Sequence, residues 1–212
     1  MRQFDHLIWD WNGTIVDDSR LCLTILNEQL TFRGRKELSL DYYRENFCFP
    51  LSKFYQDLGL AACTDEFSEC NKIFHKEYNK RRINCKIHDG VLTVLDKFIT
   101  NGGAHSVLSA YAESYLKEMV GQLKLSEYFA HIIGLQNIDG ASKVDPGHQL
   151  MERLGLKPSR VAFIGDSVHD YEVASAIGVQ CFLIAKGHQS RKQLESCKAV
   201  VLDSHQELLS YI

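Results

Sequence analysis

Short apolar runs recur along most of the chain, and each ends at a glycine or a polar residue. The first, HLIWDWNG, predicts a buried strand that runs into a loop at Asp10. Segments with helical spacing follow Gly90, Glu113 and Pro146. The alternation predicts an α/β fold, a doubly wound parallel sheet covered by helices. The five later strands are expected at residues 104–109, 131–134, 160–165, 180–185 and 199–202.

Residues 16–87 interrupt this alternation because they contain one helical segment after another and no convincing strand. We interpret them as a small all-helical domain inserted into a core made of residues 1–15 and 88–212. Aromatic residues cluster around Pro50 within this insert. Packing between helices is the favoured interpretation of the cluster, and a lid over a substrate is the alternative.

Composition and charge limit the classes of partner that this chain is expected to bind. The chain has 212 residues and a formal net charge of -3, without a basic run, so neither nucleic acid nor a membrane is an expected partner. The start of the chain lacks a secretory signal, and a cytoplasmic location is expected. Seven cysteines without a C-x-x-C pair indicate reduced thiols. The oligomeric state is left open between a monomer and a homodimer.

Polar residues follow the predicted strands, at the edge where open α/β sheets bind ligands. Asp10 ends the first run, Ser109 ends the second, and Asp166 follows the fourth. Asp10 and Asp166 can share one Mg²⁺, which favours carboxylate and water oxygens. Ser109, Thr14 and Lys143 can hold a phosphate. These residues supply the nucleophile, the cation and the donors that phosphoryl transfer to a carboxylate needs.

The motifs around these residues resemble the four motifs of the haloacid dehalogenase superfamily. DWNGTIVDD, which starts at Asp10, is similar to the first motif, D-x-D-G-T followed by an apolar pair and Asp. Ser109 matches the hydroxyl of the second motif, and Lys143 in SKVDPG matches the lysine of the third. GDSVHD at 165–170 matches G-D-x-x-x-D, and HDGV at 88–91 is similar to the family's re-entry into the core. The motifs occur in the expected order over nearly the whole chain.

The resemblance implies a magnesium-dependent phosphatase of the phosphoglycolate phosphatase-like branch, acting on a small phosphorylated metabolite. Asp10 would form an aspartyl-phosphate, and the backbone carbonyl of Asn12 would join Asp10 and Asp166 around the metal. Asp170 would position Lys143 or a metal-bound water. The inserted helical domain would be a mobile cap on a Rossmannoid core, selecting substrates and excluding water.

One position departs from the family pattern. Asn12 stands where the family has the carboxylate that protonates the leaving group. Because an amide cannot donate a proton and become charged, ester hydrolysis loses its usual acid and base. His169 has a pKa range that would suit it to replace the missing acid. The change Asn12→Asp is expected to raise the turnover of alkyl phosphates.

Two alternative functions stay open. Phosphonoacetaldehyde hydrolases also lack the second carboxylate and carry a similar D-W-x-G-T motif, with a Schiff-base lysine in the cap. Lys53 is the residue that could take that role, although PLSKF matches that family's lysine motif poorly. The other alternative is a catalytically impaired phosphate-binding or regulatory protein. A dehalogenase is not expected, because the resemblance implies that such enzymes do not need the paired acidic motifs.

Charged residues near these motifs have simpler interpretations. Asp17 either starts a helix or shapes the loop after Asp10. Asp18, Arg44 and Lys53 are expected to be solvated surface charges.

Overall fold

The computed structural model describes residues 3–136 and 142–212. Its strands are β1 His6–Trp9, β2 Val16–Asp17, β3 Lys86–Ile87, β4 Ala104–Ala112, β5 Phe129–Leu135, β6 Val161–Gly165, β7 Gln180–Ile184 and β8 Val200–Leu202. The strands of the main sheet are parallel neighbours in the order β5-β4-β1-β6-β7-β8, which confirms the predicted parallel sheet. Strand β4 continues past the predicted end at Ser109.

The helices fall into two groups, one in the predicted insert and one between the strands of the sheet. The first group is α1 Ser19–Phe32, α2 Leu40–Asn46, α3 Leu51–Asp57 and α4 Thr64–Arg81. The second is α5 Val91–Thr100, α6 Glu113–Gln122, α7 Val144–Leu154, α8 Val168–Ala176 and α9 Arg191–Leu194. Within the described residues, no helix combines the length and the apolar character that crossing a bilayer requires.

The central strand β1 is buried on both faces of the sheet. Leu7 and Trp9 belong to one core, together with residues of α5 and α6, whereas Ile8 belongs to a second core with residues of α7 and α8. Successive side chains of a strand point to opposite faces, so helices on both sides are needed to cover them. Because β1 lies between β4 and β6, the residue after it, Asp10, stands at the middle of the carboxyl edge.

Two short strands mark the ends of the helical insert. β2 and β3 pair antiparallel, with Val16 opposite Ile87 and Asp17 opposite Lys86. The expectation of no strand within residues 16–87 is therefore wrong at its two ends, where two-residue strands are too short to show an alternating pattern. This pairing brings the chain back beside the point at which the insert begins.

The insert is docked on the core through α2. Arg44 Nε donates a hydrogen bond of 2.9 Å to the carbonyl of Gly187, and its Nη2 donates one of 2.7 Å to the carbonyl of Lys186. Arg44 is therefore not the solvated charge expected from the sequence. The forked guanidinium can satisfy two neighbouring carbonyls of one loop at once, which suits it to joining two parts of a chain.

Candidate active site

Four charged side chains meet at the carboxyl edge of the sheet. Lys143 Nζ lies 2.5 Å from Asp10 Oδ1 and 2.6 Å from Asp170 Oδ1. Carboxylate oxygens of Asp10, Asp166 and Asp170 lie within 4.8 Å of one another, and all three residues are buried. The fold thus brings together residues from three of the four motifs recognised in the sequence.

Local structure fixes each of these side chains. The backbone N–H of Asp10 donates to the carbonyl of Ile164, which ties the end of β1 to β6. Lys143 stands at the N-cap position of α7 and is almost fully buried. Asp170 Oδ2 accepts hydrogen bonds from Ser167 Oγ at 2.6 Å and Ser167 N at 3.0 Å, which forms a capping box at the start of α8.

The three carboxylates differ in how easily they ionise. Burial raises the pKa of Asp10 to about 8 against the opposing effect of Lys143, and burial raises the pKa of Asp166 to about 6. Burial also acts on Asp170, but the Lys143 ammonium and the bond from Ser167 hold its pKa below the usual value. One lysine therefore does not compensate all three charges, and a further cation would favour ionised Asp10 and Asp166.

The donor set fits a divalent cation such as Mg²⁺. Both oxygens of Asp170 are engaged, Oδ1 by Lys143 and Oδ2 by Ser167. Asp10 and Asp166 are therefore the carboxylates better placed to bind a metal, and Mg²⁺ usually takes one or two carboxylates together with waters. A metal contact from the backbone carbonyl of Asn12 stays a prediction.

The two predicted phosphate-binding hydroxyls have different surroundings. Ser109 lines the cavity above Asp10, and its Oγ accepts a hydrogen bond of 3.2 Å from Tyr111 N. Thr14 is fully buried, and its Oγ1 donates a hydrogen bond of 2.8 Å to Asp166 Oδ1. Thr14 therefore orients a carboxylate, which differs from the phosphate contact expected from its place in the motif.

Asp18 is fully buried, so the expectation that it is solvated is wrong. Its Oδ2 accepts hydrogen bonds of 2.6 Å from both Asn12 Nδ2 and Tyr78 OH. Its Oδ1 accepts one of 2.9 Å from Gly13 N and lies 3.2 Å from His188 Nε2. A buried carboxylate is stable only when it is paired and hydrogen-bonded, and these four partners meet that need.

His188 is a site residue that the sequence analysis missed. Its backbone N–H donates to Asp166 Oδ2 at 2.7 Å, and its Nδ1 lies 2.8 Å from Tyr43 OH of α2. Burial alone would lower its pKa, but the Asp18 carboxylate raises the pKa of His188 to about 9. His188 follows β7 at the carboxyl edge, so the strand-end rule that pointed to Asp10 points to this segment as well.

Two glycines let the backbone approach Asp166 closely. Gly13 has φ +75, and a Cβ there would lie 2.4 Å from Asp166 Oδ2. A Cβ on Gly187 would lie 2.1 Å from the same oxygen. Neither distance is possible for a real side chain, so both positions require glycine.

His169, the candidate replacement for the missing acid, is largely buried in the structure. The His169 ring packs against Phe49 with centroids 4.7 Å apart, and its buried Nε2 has no hydrogen-bond partner among the described residues. Burial lowers the pKa of His169, which favours a neutral ring.

Asp17 is exposed on β2, and α1 begins after it. Lys53 is exposed, pairs with Asp57 and does not line the cavity above Asp10.

A cavity of about 140 Å³ lies between the charged residues and the helical insert. Its floor includes Asp10, Asn12, Ser109 and Lys143, and most of its walls come from α1 to α4 and the segments between them. The proposed nucleophile therefore faces an internal space large enough for a small group. This arrangement is typical of ligand sites, in which a few polar groups converge in a mostly apolar pocket.

Comparisons with known proteins agree with this geometry. The sequence model of the family described as haloacid dehalogenase-like hydrolase matches residues 7–184, and the chain belongs to this family. The chain is 27% identical over 213 residues to Phosphoglycolate phosphatase 1 of Pseudomonas aeruginosa, covering 96% of this chain and 78% of that protein.

Solved structures show the same fold. A haloacid dehalogenase-like hydrolase from Streptococcus pneumoniae has a TM-score of 0.83 and 20% identity, covering 100% of this chain and 99% of that one. A protein described as a predicted phosphoglycolate phosphatase from Haemophilus somnus has a TM-score of 0.77 and 19% identity, covering 99% and 98%. The predicted superfamily and α/β fold are confirmed, and together with the curated relatives they support a phosphatase.

Proposed function

We propose that this chain is a magnesium-dependent phosphatase that hydrolyses a small phosphorylated metabolite through an aspartyl-phosphate on Asp10. The observation that carries the proposal is the contact of Lys143 with both Asp10 and Asp170 beside Asp166, at the floor of a cavity that the helical insert covers. A nucleophilic carboxylate, a fixed ammonium and a set of metal-binding oxygens are the parts that phosphoryl transfer requires.

Each residue takes one role in this proposal. An Asp10 oxygen attacks phosphorus while the ester oxygen leaves with its bonding electrons, and water then hydrolyses the acyl phosphate to phosphate and Asp10. Lys143 and Ser109 donate to the phosphate oxygens, and Asp170 holds Lys143 in place. Bound Mg²⁺ supplies positive charge that offsets the charge of phosphate and the carboxylates.

We further propose that residues 16–87 act as a cap on the core formed by residues 1–15 and 88–212. The support is that α1 to α4 cover the cavity and that Arg44 and Tyr43 contact the loop after β7. A cap in this position would keep water from the phosphoryl group and would contact the leaving group.

The phosphonate hydrolase alternative is less well supported. A Schiff-base lysine must reach the cavity with a neutral amine, but Lys53 lies outside it and its hydrogen bond with Asp57 raises its pKa. The only lysine lining the cavity among the described residues is Lys143, which already pairs with two carboxylates. An impaired phosphate-binding protein remains an outcome that the experiment below would reveal.

Phosphate release from a panel of phosphorylated metabolites, measured with Mg²⁺ and with EDTA, tests the proposal. We expect Mg²⁺-dependent release and, after an acid quench, one phosphoryl group on a peptide containing Asp10. Asp10→Asn should abolish both signals. Phosphate binding without release or labelling would indicate the impaired protein, and undiminished release in EDTA would overturn the proposed chemistry.

A further inference from the structure

The cavity above Asp10 is lined by the charged site residues and by many aromatic rings. The aromatic lining includes Phe47, Phe49, Phe54, Phe74 and Tyr111. The rings of Phe47 and Phe54 contact each other with centroids 5.3 Å apart, so part of this lining is a packed aromatic surface. The part of a substrate that lies beyond the phosphate would therefore contact aromatic rings.

The size of the cavity matches one small ring. Its volume is about 140 Å³, and a cavity of roughly 150 Å³ lined by apolar side chains is known to stay dry and bind benzene. Aromatic rings bind each other in offset or edge-on arrangements, so a cavity lined by several rings suits a further ring.

A charged leaving group would find little compensation in this space. Among the described lining residues, Lys143 is the only lysine or arginine, and it already pairs with Asp10 and Asp170. Three histidines, His75, His169 and His188, also line the cavity. The His188 ring lies between Asp18 and Tyr43, and burial lowers the pKa of His169. A second carboxylate such as that of phosphoglycolate would lose its hydration without gaining an unpaired lysine or arginine, which is costly.

The network around Asn12 gives an independent argument about the leaving group. The Asn12 amide donates to both Asp18 and Tyr78, so position 12 holds a neutral group that cannot protonate a departing oxygen. A phenol ionises near a pKa of ~10, as tyrosine does, whereas water, which resembles an alcohol, ionises near ~16. Phenolates therefore leave with much less help from an acid than alkoxides do.

We propose that the substrate of this site is the phosphate monoester of a single-ring phenol, with the ring held against Phe74. The inference rests on the proposed phosphatase function and names its substrate class. The aromatic cavity accounts for binding of the ring, and the neutral group at position 12 accounts for a leaving group that needs no acid.

Binding can be tested without turnover. Calorimetry of the whole protein with Mg²⁺ compares phenylphosphonate, which carries a ring, with phosphonoacetate, which carries a carboxylate; neither has an ester bond. We expect phenylphosphonate to bind at least ~10-fold more tightly, from one set of ring contacts. Equal or tighter binding of phosphonoacetate would overturn the inference, whether or not the protein proves to be a phosphatase.

A matched pair of variants locates the ring. Phe74 and Phe67 are both half-buried on α4, but Phe74 lines the cavity whereas Phe67 packs on Tyr55 with centroids 5.4 Å apart. Phe74→Ala should weaken phenylphosphonate binding ~10-fold and leave phosphonoacetate binding unchanged. Phe67→Ala should change neither. Equal losses in the two variants would show that the effect is structural and would overturn the assigned position.

Turnover then separates ring recognition from leaving-group strength. 4-Nitrophenyl phosphate and acetyl phosphate both have leaving groups that need little help from an acid, but only the first has a ring. We expect a KM at least ~10-fold lower for 4-nitrophenyl phosphate, and a loss of this difference in Phe74→Ala. Equal KM values would contradict ring recognition. If neither compound is hydrolysed while phenylphosphonate still binds preferentially, the proposed hydrolysis fails and the aromatic site stands.

Discussion

The side-chain amide of Asn12 donates a hydrogen bond of 2.6 Å to Oδ2 of Asp18, a carboxylate with no exposed surface. A carboxylate at position 12 would face that oxygen at the same distance, and a partly buried carboxylate in contact with the buried one of Asp18 makes it costly for both to ionise. The asparagine is therefore matched to Asp18, and the pair has to be changed together to restore a carboxylic acid at position 12.

Asn12→Asp alone is expected to destabilise the protein by about 1–3 kcal/mol, because it replaces a hydrogen-bond donor to Asp18 with a second acceptor. The rise in alkyl-phosphate turnover expected from the sequence for this single change stays a prediction. The double variant Asn12→Asp/Asp18→Asn should be more stable than the sum of the two single changes predicts, because a donor and an acceptor again face each other, although the ion pair of Asp18 with His188 stays lost. Urea unfolding of the wild type, both single variants and the double variant measures the coupling.

The same double variant should raise the turnover of alkyl phosphates, since general acids typically contribute ~10²- to 10⁴-fold. Turnover of 4-nitrophenyl phosphate should change much less, because its leaving group needs little protonation. Phosphate release at saturating Mg²⁺ gives both rates. An unchanged alkyl rate in the double variant, together with its loss in His169→Ala, would show that His169 supplies the proton.

Asp10→Asn and Asp166→Asn should both abolish Mg²⁺-dependent phosphate release, for different reasons. The first removes the proposed nucleophile, and the second removes a charge from the metal-binding set. Mg²⁺ binding measured by calorimetry should weaken strongly in Asp166→Asn. Asp17→Asn is the matched control, because it removes an exposed carboxylate from the same segment and should change neither quantity. An active Asp10→Asn protein would rule out the aspartyl-phosphate.

The ion pair between His188 and Asp18 should make stability fall as pH rises. The pair raises the pKa of His188 from 6.5 to about 9, so its stabilising effect is complete below pH 6.5 and is lost as pH rises through 9. The pKa of Asp10 is raised to about 8, so its protonation also makes stability fall as pH rises towards 8. The effect of His188 should therefore be measured in an Asp10→Asn variant, in which this contribution is absent. In EDTA, adding His188→Gln to the Asp10→Asn variant should reduce the slope of the free energy of unfolding against pH between pH 6.5 and 9.5. An unchanged slope would contradict the ion pair.

Arg44→Ala should loosen the helical insert, because it removes two hydrogen bonds to the loop after β7. We expect faster hydrogen exchange in α2 and a higher KM, since the cavity walls would be less well ordered. Lys53→Ala is a control on the same insert, because its ion pair is exposed and contributes little. If both variants behave alike, Arg44 does not hold the cap closed.

Borohydride trapping of Lys53 with phosphonoacetaldehyde would favour the alternative function, a phosphonate hydrolase, over the proposed phosphatase.

The sequence by itself determined the sheet and the identity of the charged residues at its edge. The apolar runs are long enough to predict buried strands, and the carboxyl ends of parallel strands share one edge, so Asp10 and Asp166 follow from position alone. Lys143 needed the resemblance to known motifs, because a lysine before a helix has no distinctive local pattern. Lys143 contacts the carboxylates of Asp10 and Asp170, as the motifs imply. Its catalytic role stays a prediction for experiment.

Tertiary structure decided which polar residues are buried. Asp18 and Arg44 looked like solvated charges, and His188 carried no recognised motif, yet each is fixed by partners distant along the chain. Local pattern cannot reveal such burial, because a charged group is stable inside a protein only when its non-local partners compensate its lost hydration. The direction of the Thr14 hydroxyl and the aromatic character of the cavity depend on the same long-range packing.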